Sequence, residues 1–297
     1  MIITPASLKM LTTGFKGNFA AGLLLAASAW KQIATEIPST TAENLYPWLK
    51  NLPGMRKWIG ARQIKNIEVQ GYRLINEKWE DNVSVKKDSI EDDTYGVFAP
   101  MMTMLGEAAG RQPDELVFKT LVDGFSSNCF DGQFFFDVDH PVALADGTEV
   151  SVSNMQAGAG VPWFLLDTSG VMKPLIFQNR KKPNFVAKDD PRDDRVFERD
   201  EYVYGVDSRN ACGYGFWQKA FGSKAPLNVA NFEAAYFAMT AFKGDGGAKL
   251  GIKPTHLYCG SSNQAAAEAI LLKMNIAGGE SNTNYQRVKL EVVAWLD

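Results

Sequence analysis

The chain has 297 residues, 45% of them apolar, which suffices for one large core or two ordinary ones and excludes a wholly disordered chain. Its 31 basic and 34 acidic side chains leave a formal charge of -3, which argues against a protein that grips nucleic acid by charge alone, though not against DNA as a neighbour. The three cysteines, Cys129, Cys212 and Cys259, form no closed disulfide set and no CxxC pair, and two histidines leave little material for a His-rich metal centre, so a reduced cytosolic chain is the simplest reading.

Leu8, Leu11, Phe15, Phe19 and Leu23 recur at helical spacing with Lys9 and Lys16 off that line, which predicts an amphipathic N-terminal helix. The apolar run FAAGLLLAASAW is too short to span a bilayer, and its leucine run is too short for a secretory signal. After Trp30, Pro38, Pro47 and Pro53 exclude any long element before Gly60 and leave extended chain, in which Trp48 and Trp58 are expected to pack onto something, such as another subunit. Alternation at Ile67 and Val69, Tyr72 and Leu74, and Val83 and Val85 predicts strands over residues 64–85, with NEKWEDN as a polar turn. The result is a two-stranded projection with Trp79 near its tip, too thin to be stable without a surface to lie on.

Acidic residues 91–93 open a long helical region over residues 94–125, where Tyr95, Phe98, Met102, Leu105 and Ala109 share a face. Gln112-Pro113 marks a pause, after which Pro113, Asp114 and Glu115 form the first turn of a second segment carrying Leu116, Val117, Leu121 and Val122. Residues 126–160 hold no clear helix and many turn residues. Strands return at WFLLD, KPLIFQ and YVYGVD. Directly after KPLIFQ comes the one compact basic patch, Arg180, Lys181 and Lys182, and residues 188–201, with four basic and seven acidic side chains, are expected to form a solvated loop. Pairing between that patch and the acidic run from Asp189 and Asp190 of another subunit would fix register. The final third is α/β: a helix on Val229, Phe232, Tyr236 and Met239, a strand THLYC, a helix opened by a Ser261–Gln264 capping box, and a closing strand on Val288, Leu290 and Val292.

Chemistry is densest between Ser126 and His140. Asp131, Asp137, Asp139 and His140 raise a divalent-metal site, but the stretch matches neither HExxH nor the calcium loop, and a turn ending the FFF strand before Pro141 is simpler. Ser126, Ser127 or Cys129 with His140 and an aspartate raise a cytosolic hydrolase; no GxSxG elbow is present, His256 sits in a strand, and Cys129 is best taken as a buried apolar side chain. GDGGAKLG and the glycines at 158 and 160 lack nucleotide-binding spacing. No catalytic, cofactor-binding or metal-binding residue is therefore expected.

Several stretches in order, among them MIITPASLKMLTTGFKGNF, EIPSTTAENLYPWL, IEDDTYGVFAP, CFDGQFFFDVDHP, WFLLDTSGVMKPLIFQNRKKPNFVA and YGVDSRNACGYGFWQKAFG, resemble the major head subunit (major capsid protein) family of Mu-like bacteriophages and prophages. The resemblance spans nearly the whole chain and implies an α+β protein with the tailed-phage capsid (HK97-like) fold. On that basis residues 1–37 would be an N-terminal arm, 38–90 an extended-loop region, 91–160 a peripheral domain with a spine helix, and 161–228 mixed peripheral and axial strands with the charged loop. Residues 229–283 would form an axial domain and 284–297 a C-terminal strand; should relatives run beyond VVAWLD, a terminal peripheral strand would be missing. The resemblance also implies hexamers and pentamers closing an icosahedral shell around double-stranded DNA, assembled in the bacterial host cytoplasm, with a separate scaffolding protein, a portal and a phage protease, and no membrane. Another structural phage component, such as a decoration or tail protein, is the nearest alternative. Trp48, Trp58, Tyr72, Trp79, Arg180, Lys181, Lys182, Asp189 and Asp190 are the candidate inter-subunit contacts. Some proteins of this fold cross-link through a lysine in the extended loop; Lys78 lies near the expected tip, but no motif identifies a partner.

Overall fold

The computed structural model describes residues 4–50, 71–92, 96–144, 146–190 and 192–297. Helix α1 (Pro5–Leu25) starts on a capping box in which Thr4 and Ser7 exchange hydrogen bonds, with proline in its first turn. Leu8, Phe15 and Phe19 are buried along one stripe, as their spacing predicts. The chain then passes through a 3₁₀ turn (Trp30–Gln32), β1 (Ala34–Pro38), β2 (Glu43–Tyr46) and a second 3₁₀ turn (Pro47–Lys50). Beyond residue 70 come β3 (Tyr72–Ile75), β4 (Glu77–Lys86), the short α2 (Lys87–Glu91) and the long α3 (Phe98–Asp123). Three short strands follow, β5 (His140–Ala143), β6 (Glu149–Val152) and β7 (Met155–Gln156), then β8 (Trp163–Leu166), β9 (Leu175–Lys188), α4 (Asp194–Arg199) and β10 (Glu201–Tyr214). The remainder is β11 (Ala220–Ser223), α5 (Val229–Ala241), β12 (His256–Cys259), α6 (Ser261–Leu271) and β13 (Lys289–Val292).

Two larger sheets organise these elements. One has four strands in the order β1-β9-β10-β4, the other five in the order β13-β12-β8-β11-β7. All four residues of β8 are buried, as befits a central strand with apolar side chains on both faces. Strand β9 links the two environments: Leu175 to Gln178 are buried, whereas its outer half alternates between half-buried and exposed. Phe135 and Phe136 drive the loop after α3 into the main core, where Phe135 stacks on Tyr214 with ring centroids 4.6 Å apart.

Helices α1 and α3 touch backbone to backbone. A Cβ on Gly106 would stand 2.1 Å from the Phe19 carbonyl oxygen, and one on Gly22 2.0 Å from that of Thr103, so only glycine fits at either point. The long helix also corrects the expected pause: it runs unbroken through Pro113, with Met102, Leu105, Val117, Phe118 and Leu121 buried on both sides of it. Burial of that stripe outweighs the one backbone bond the proline ring removes. Asp114 does not open a new helix. Its Oδ1 accepts from the backbone N–H groups of Ala29 (2.9 Å) and Trp30 (2.7 Å), fastening the end of the arm to α3.

Four more expectations are corrected. NEKWEDN is not a turn: β3 pairs with β2, while β4 pairs antiparallel with β10 from Glu77 opposite Asn210 to Lys86 opposite Glu201. Lys78 and Trp79 therefore lie within a strand, opposite Arg209 and Ser208, and not at a tip. The strand expected at Val83 and Val85 is present as the second half of β4; polar residues on both faces hid its first half, whose edge bonding comes from a partner far along the chain. The expected first limb, residues 64–70, lies outside the described residues. Arg180, Lys181 and Lys182 do not follow a strand but belong to β9, which continues through Pro183 because the pairing with β10 shifts register there, sparing the proline a ladder bond. The charged run is not all loop, since α4 forms inside it around buried Val196. Finally, Ser261 and Gln264 do not make a capping box: Gly260 is the N-cap, and the Asp297 carboxylate accepts from the N–H groups of Ser261 (2.8 Å) and Ser262 (2.9 Å).

Candidate functional site

The loop from Cys129 to His140 was the candidate for chemistry, and its geometry argues against a nucleophile. Asp131 stands between the thiol and the imidazole: Cys129 Sγ donates to Asp131 Oδ1 at 3.0 Å, and His140 Nδ1 lies 2.7 Å from Oδ2. Burial, helped by the adjacent Asp131 charge, pushes the Cys129 thiol far above its ordinary range, the opposite of activation. Burial also works against the Asp131 charge, but the bonds from His140 and Cys129 outweigh it and hold that carboxyl below its usual value. Asp137 spends its carboxylate on the N–H groups of Phe134 (3.2 Å) and Val138 (2.7 Å), shaping the turn, and Asp139 is exposed. His256, at the start of β12, lies 3.1 Å from Thr168 Oγ1, and burial lowers its pKa. Ser126 donates to the Asp123 carbonyl at 3.2 Å. Among the described residues neither histidine is hydrogen-bonded to a serine or a cysteine, so no imidazole stands ready as base to a nucleophile.

The outer surfaces carry the stronger signal. Met10, Leu24 and Leu25 stand out from α1, and Phe197 from α4; Leu272, Met274 and Ile276 crowd the turn after α6. Leu24 is 88% exposed and Phe197 86%. An apolar groove lined by Met10, Leu11, Phe15 and Ala99 opens between α1 and the start of α3. Leu24 and Leu25 lie in the apolar run FAAGLLLAASAW, whose helical stripe marks Leu23 as inward without telling which of its neighbours stay exposed, whereas Phe197 sits alone in a charged stretch. A lone phenylalanine inside the charged run was the one available clue.

The proposed contact residues fall into distinct settings. Trp48 lies in the second 3₁₀ turn, and Trp58 lies outside the described residues. The Tyr72 hydroxyl accepts from the Tyr214 N–H at 3.2 Å within the same subunit, and burial pushes its pKa up to about 12. Half-buried Trp79 has its ring N–H shut from solvent with no acceptor among the described residues. Lys181 pairs with Asp207 of its own chain, and Asp189 accepts from the Thr12 hydroxyl, tying α1 to the charged segment. Asp190 caps the backbone of Arg192 at 2.9 Å. Arg180 and Lys182 are exposed and have no ion-pair partner among the described residues. No helix among the described residues is long and apolar enough to cross a membrane.

Comparison with known proteins gives these surfaces a context. The sequence model of the family described as Mu-like prophage major head subunit gpT matches residues 8–296. The major capsid protein of Escherichia phage Mu is 42% identical over 300 residues, spanning 99% of this chain and 98% of its own. The Mu-like prophage FluMu major head subunit of Haemophilus influenzae is 43% identical, over 98% of this chain and 97% of its own. Among solved structures, the procapsid of bacteriophage JBD30 matches with a TM-score of 0.88 at 46% identity, over 99% of this chain and 100% of that chain. The capsid of the same phage matches with a TM-score of 0.79 at 35% identity over the whole of both chains.

Proposed function

This chain belongs to the Mu-like prophage major head subunit gpT family, and from that premise we propose how it builds a shell. It is a major capsid protein with an HK97-like fold, a part of the virion capsid, and its relatives are structural, so a hydrolase built on Cys129 and His140 finds no support. Subunits associate into hexamers and pentamers that close an icosahedral container around double-stranded DNA. A net charge of -3 suits a container that surrounds DNA without gripping it. A scaffolding protein, a portal and a phage protease complete the assembly line.

In this reading residues 1–37 form the arm and 38–90 the extended-loop region. The five-stranded sheet with α5 and α6 faces the capsomer centre. Helix α3 and the outer halves of β9, β10 and β4 form the periphery. Trp48, Trp58, Trp79, Arg180, Lys182 and Asp190 meet neighbouring subunits, whereas Tyr72, Lys181 and Asp189 position those segments through bonds within the chain. Greater likeness to the procapsid subunit than to the capsid subunit supports assigning this conformation to the immature shell. The observation that carries the proposal is the match to a procapsid subunit over 99% of this chain and the whole of that one. Electron microscopy of the expressed chain, with and without its scaffold, tests it. Closed shells or five- and six-membered rings are expected; a stable monomer under both conditions would overturn it.

A further inference from the structure

Beyond shell building, we propose that Cys129, Asp131 and His140 form a structural site for one divalent transition-metal ion, with zinc the match to their donor atoms. The thiol sulfur, a carboxylate oxygen and an imidazole nitrogen lie within 4.8 Å of one another. His140 is wholly buried, and Cys129 nearly so.

The direction in which His140 is held carries the inference. Asn154 is fully buried, and its amide nitrogen donates to the carbonyls of Phe135 (2.8 Å), Trp217 (3.4 Å) and Ala220 (3.3 Å). The amide oxygen is thereby fixed as the atom facing His140 Nε2 at 3.2 Å, and it also accepts from the Asp137 N–H at 2.9 Å. An acceptor at that position requires the proton on Nε2, which turns the lone pair of Nδ1 toward Asp131 Oδ2. Two acceptors 2.7 Å apart in a buried site need a cation between them.

A proton could serve, but the third donor favours a metal. Cys129 Sγ lies on the same carboxylate at 3.0 Å, adding a soft ligand to an imidazole and an oxygen, the mixture that suits zinc. One thiolate and one carboxylate neutralise a divalent ion, so the buried site carries no net charge. The supporting bonds are those of an oriented ligand set: Asn154 fixes the outer nitrogen of His140, the Gln133 N–H binds Asp131 at 3.1 Å, and Trp217 stacks on the imidazole at 4.0 Å. Binding releases two protons to water, that of the thiol and the one shared by Asp131 and His140. A water or the second Asp131 oxygen fills the fourth position. Because Cys129 and Asp131 open the loop that seats Phe135 and Phe136 and His140 stands where it runs into β5, the ion would lock that loop closed. Their C-x-D-x8-H spacing follows none of the familiar ligand patterns, which is why the sequence alone discourages a metal.

The test is metal analysis of full-length chain, as capsomers or shells purified without chelator, loaded with zinc and dialysed, then reloaded with cobalt alone. About one ion per chain is expected, together with thiolate-to-cobalt charge-transfer absorption. Cys129→Ser should abolish the charge-transfer band, and His140→Gln should lower metal content severalfold. Less than about a tenth of an ion per chain after loading would overturn the proposal. So would nitrogen NMR showing protons on both His140 ring nitrogens in zinc-loaded protein, because the proton would then hold the place assigned to the ion. A charge-transfer band unchanged in Cys129→Ser would equally refute ligation by that thiolate.

Discussion

Strands β8 and β4 show two ways of holding a strand in place. In β8 every residue from Trp163 to Leu166 is buried, walled by β11, β12 and the phenylalanines of the loop after α3. In β4, ten residues long, only Val85 is fully buried, and the strand is bonded along one edge to β10. The first is stabilised by its own chain. The second presents polar residues on both faces and is held along one edge, and the proposed assembly would have neighbouring copies cover it.

The largest break in this contrast should come from Phe164→Ala, which removes a wholly buried ring and is expected to cost about 3–5 kcal/mol in subunit stability, read from urea unfolding. A loss under about 1 kcal/mol would show that the five-stranded sheet is not self-sufficient. Next is Gly106→Val, which forces a side chain into the Phe19 carbonyl and should cost about 1–3 kcal/mol. Hydrogen exchange should then rise in α1 and stay unchanged in β8; faster exchange in β8 would mean that the two regions are not separable.

Asp114 sharpens the join between them. Burial raises its carboxyl pKa against the pull of the Trp30 and Ala29 N–H groups. A raised acid value means that the folded chain holds the proton more tightly, so this group's contribution is fully present below the ordinary carboxylate range and fades as pH climbs through the raised value. Asparagine keeps both accepted bonds without the charge. Asp114→Asn should therefore match or exceed the parent at neutral pH, whereas Asp114→Ala should lose about 1–3 kcal/mol, both measured by thermal unfolding.

A smaller effect is expected at Asp297, whose carboxyl is held low by the Ser261 hydroxyl and the Ser262 and Ser261 N–H groups. Its cap on α6 is complete above the ordinary carboxylate range, near pH 4, and is lost as pH falls through the depressed value. Amide exchange at Ser261 and Ser262 should stay slow until strongly acidic pH, and Asp297→Ala should remove that protection at neutral pH.

These cases also mark what was legible beforehand. The stripes of α1 and α5, the apolar β8 and the strand THLYC follow from neighbours three, four or two residues away, and they formed where their periodicity put them. Elements held by distant partners did not announce themselves. Strand β4 depends on β10, the α6 cap comes from Asp297, and Pro113 is tolerated because buried residues on both sides anchor the helix. The Cys129 to His140 loop was recognisable as chemically dense. Its logic was not, because Asn154, the residue that orients His140, belongs to a different turn and is fixed by carbonyls from two distant segments, Phe135 on one side and Trp217 and Ala220 on the other.

Oxidative footprinting of the free subunit against the assembled shell tests the division of labour most directly. Trp79 on β4, with Leu24 and Leu25 at the end of α1, should become protected several-fold on assembly, while Trp163 in β8 should be unreactive in both states. Equal reactivity of Trp79, Leu24 and Leu25 before and after assembly would contradict the claim that neighbouring subunits complete the outer region.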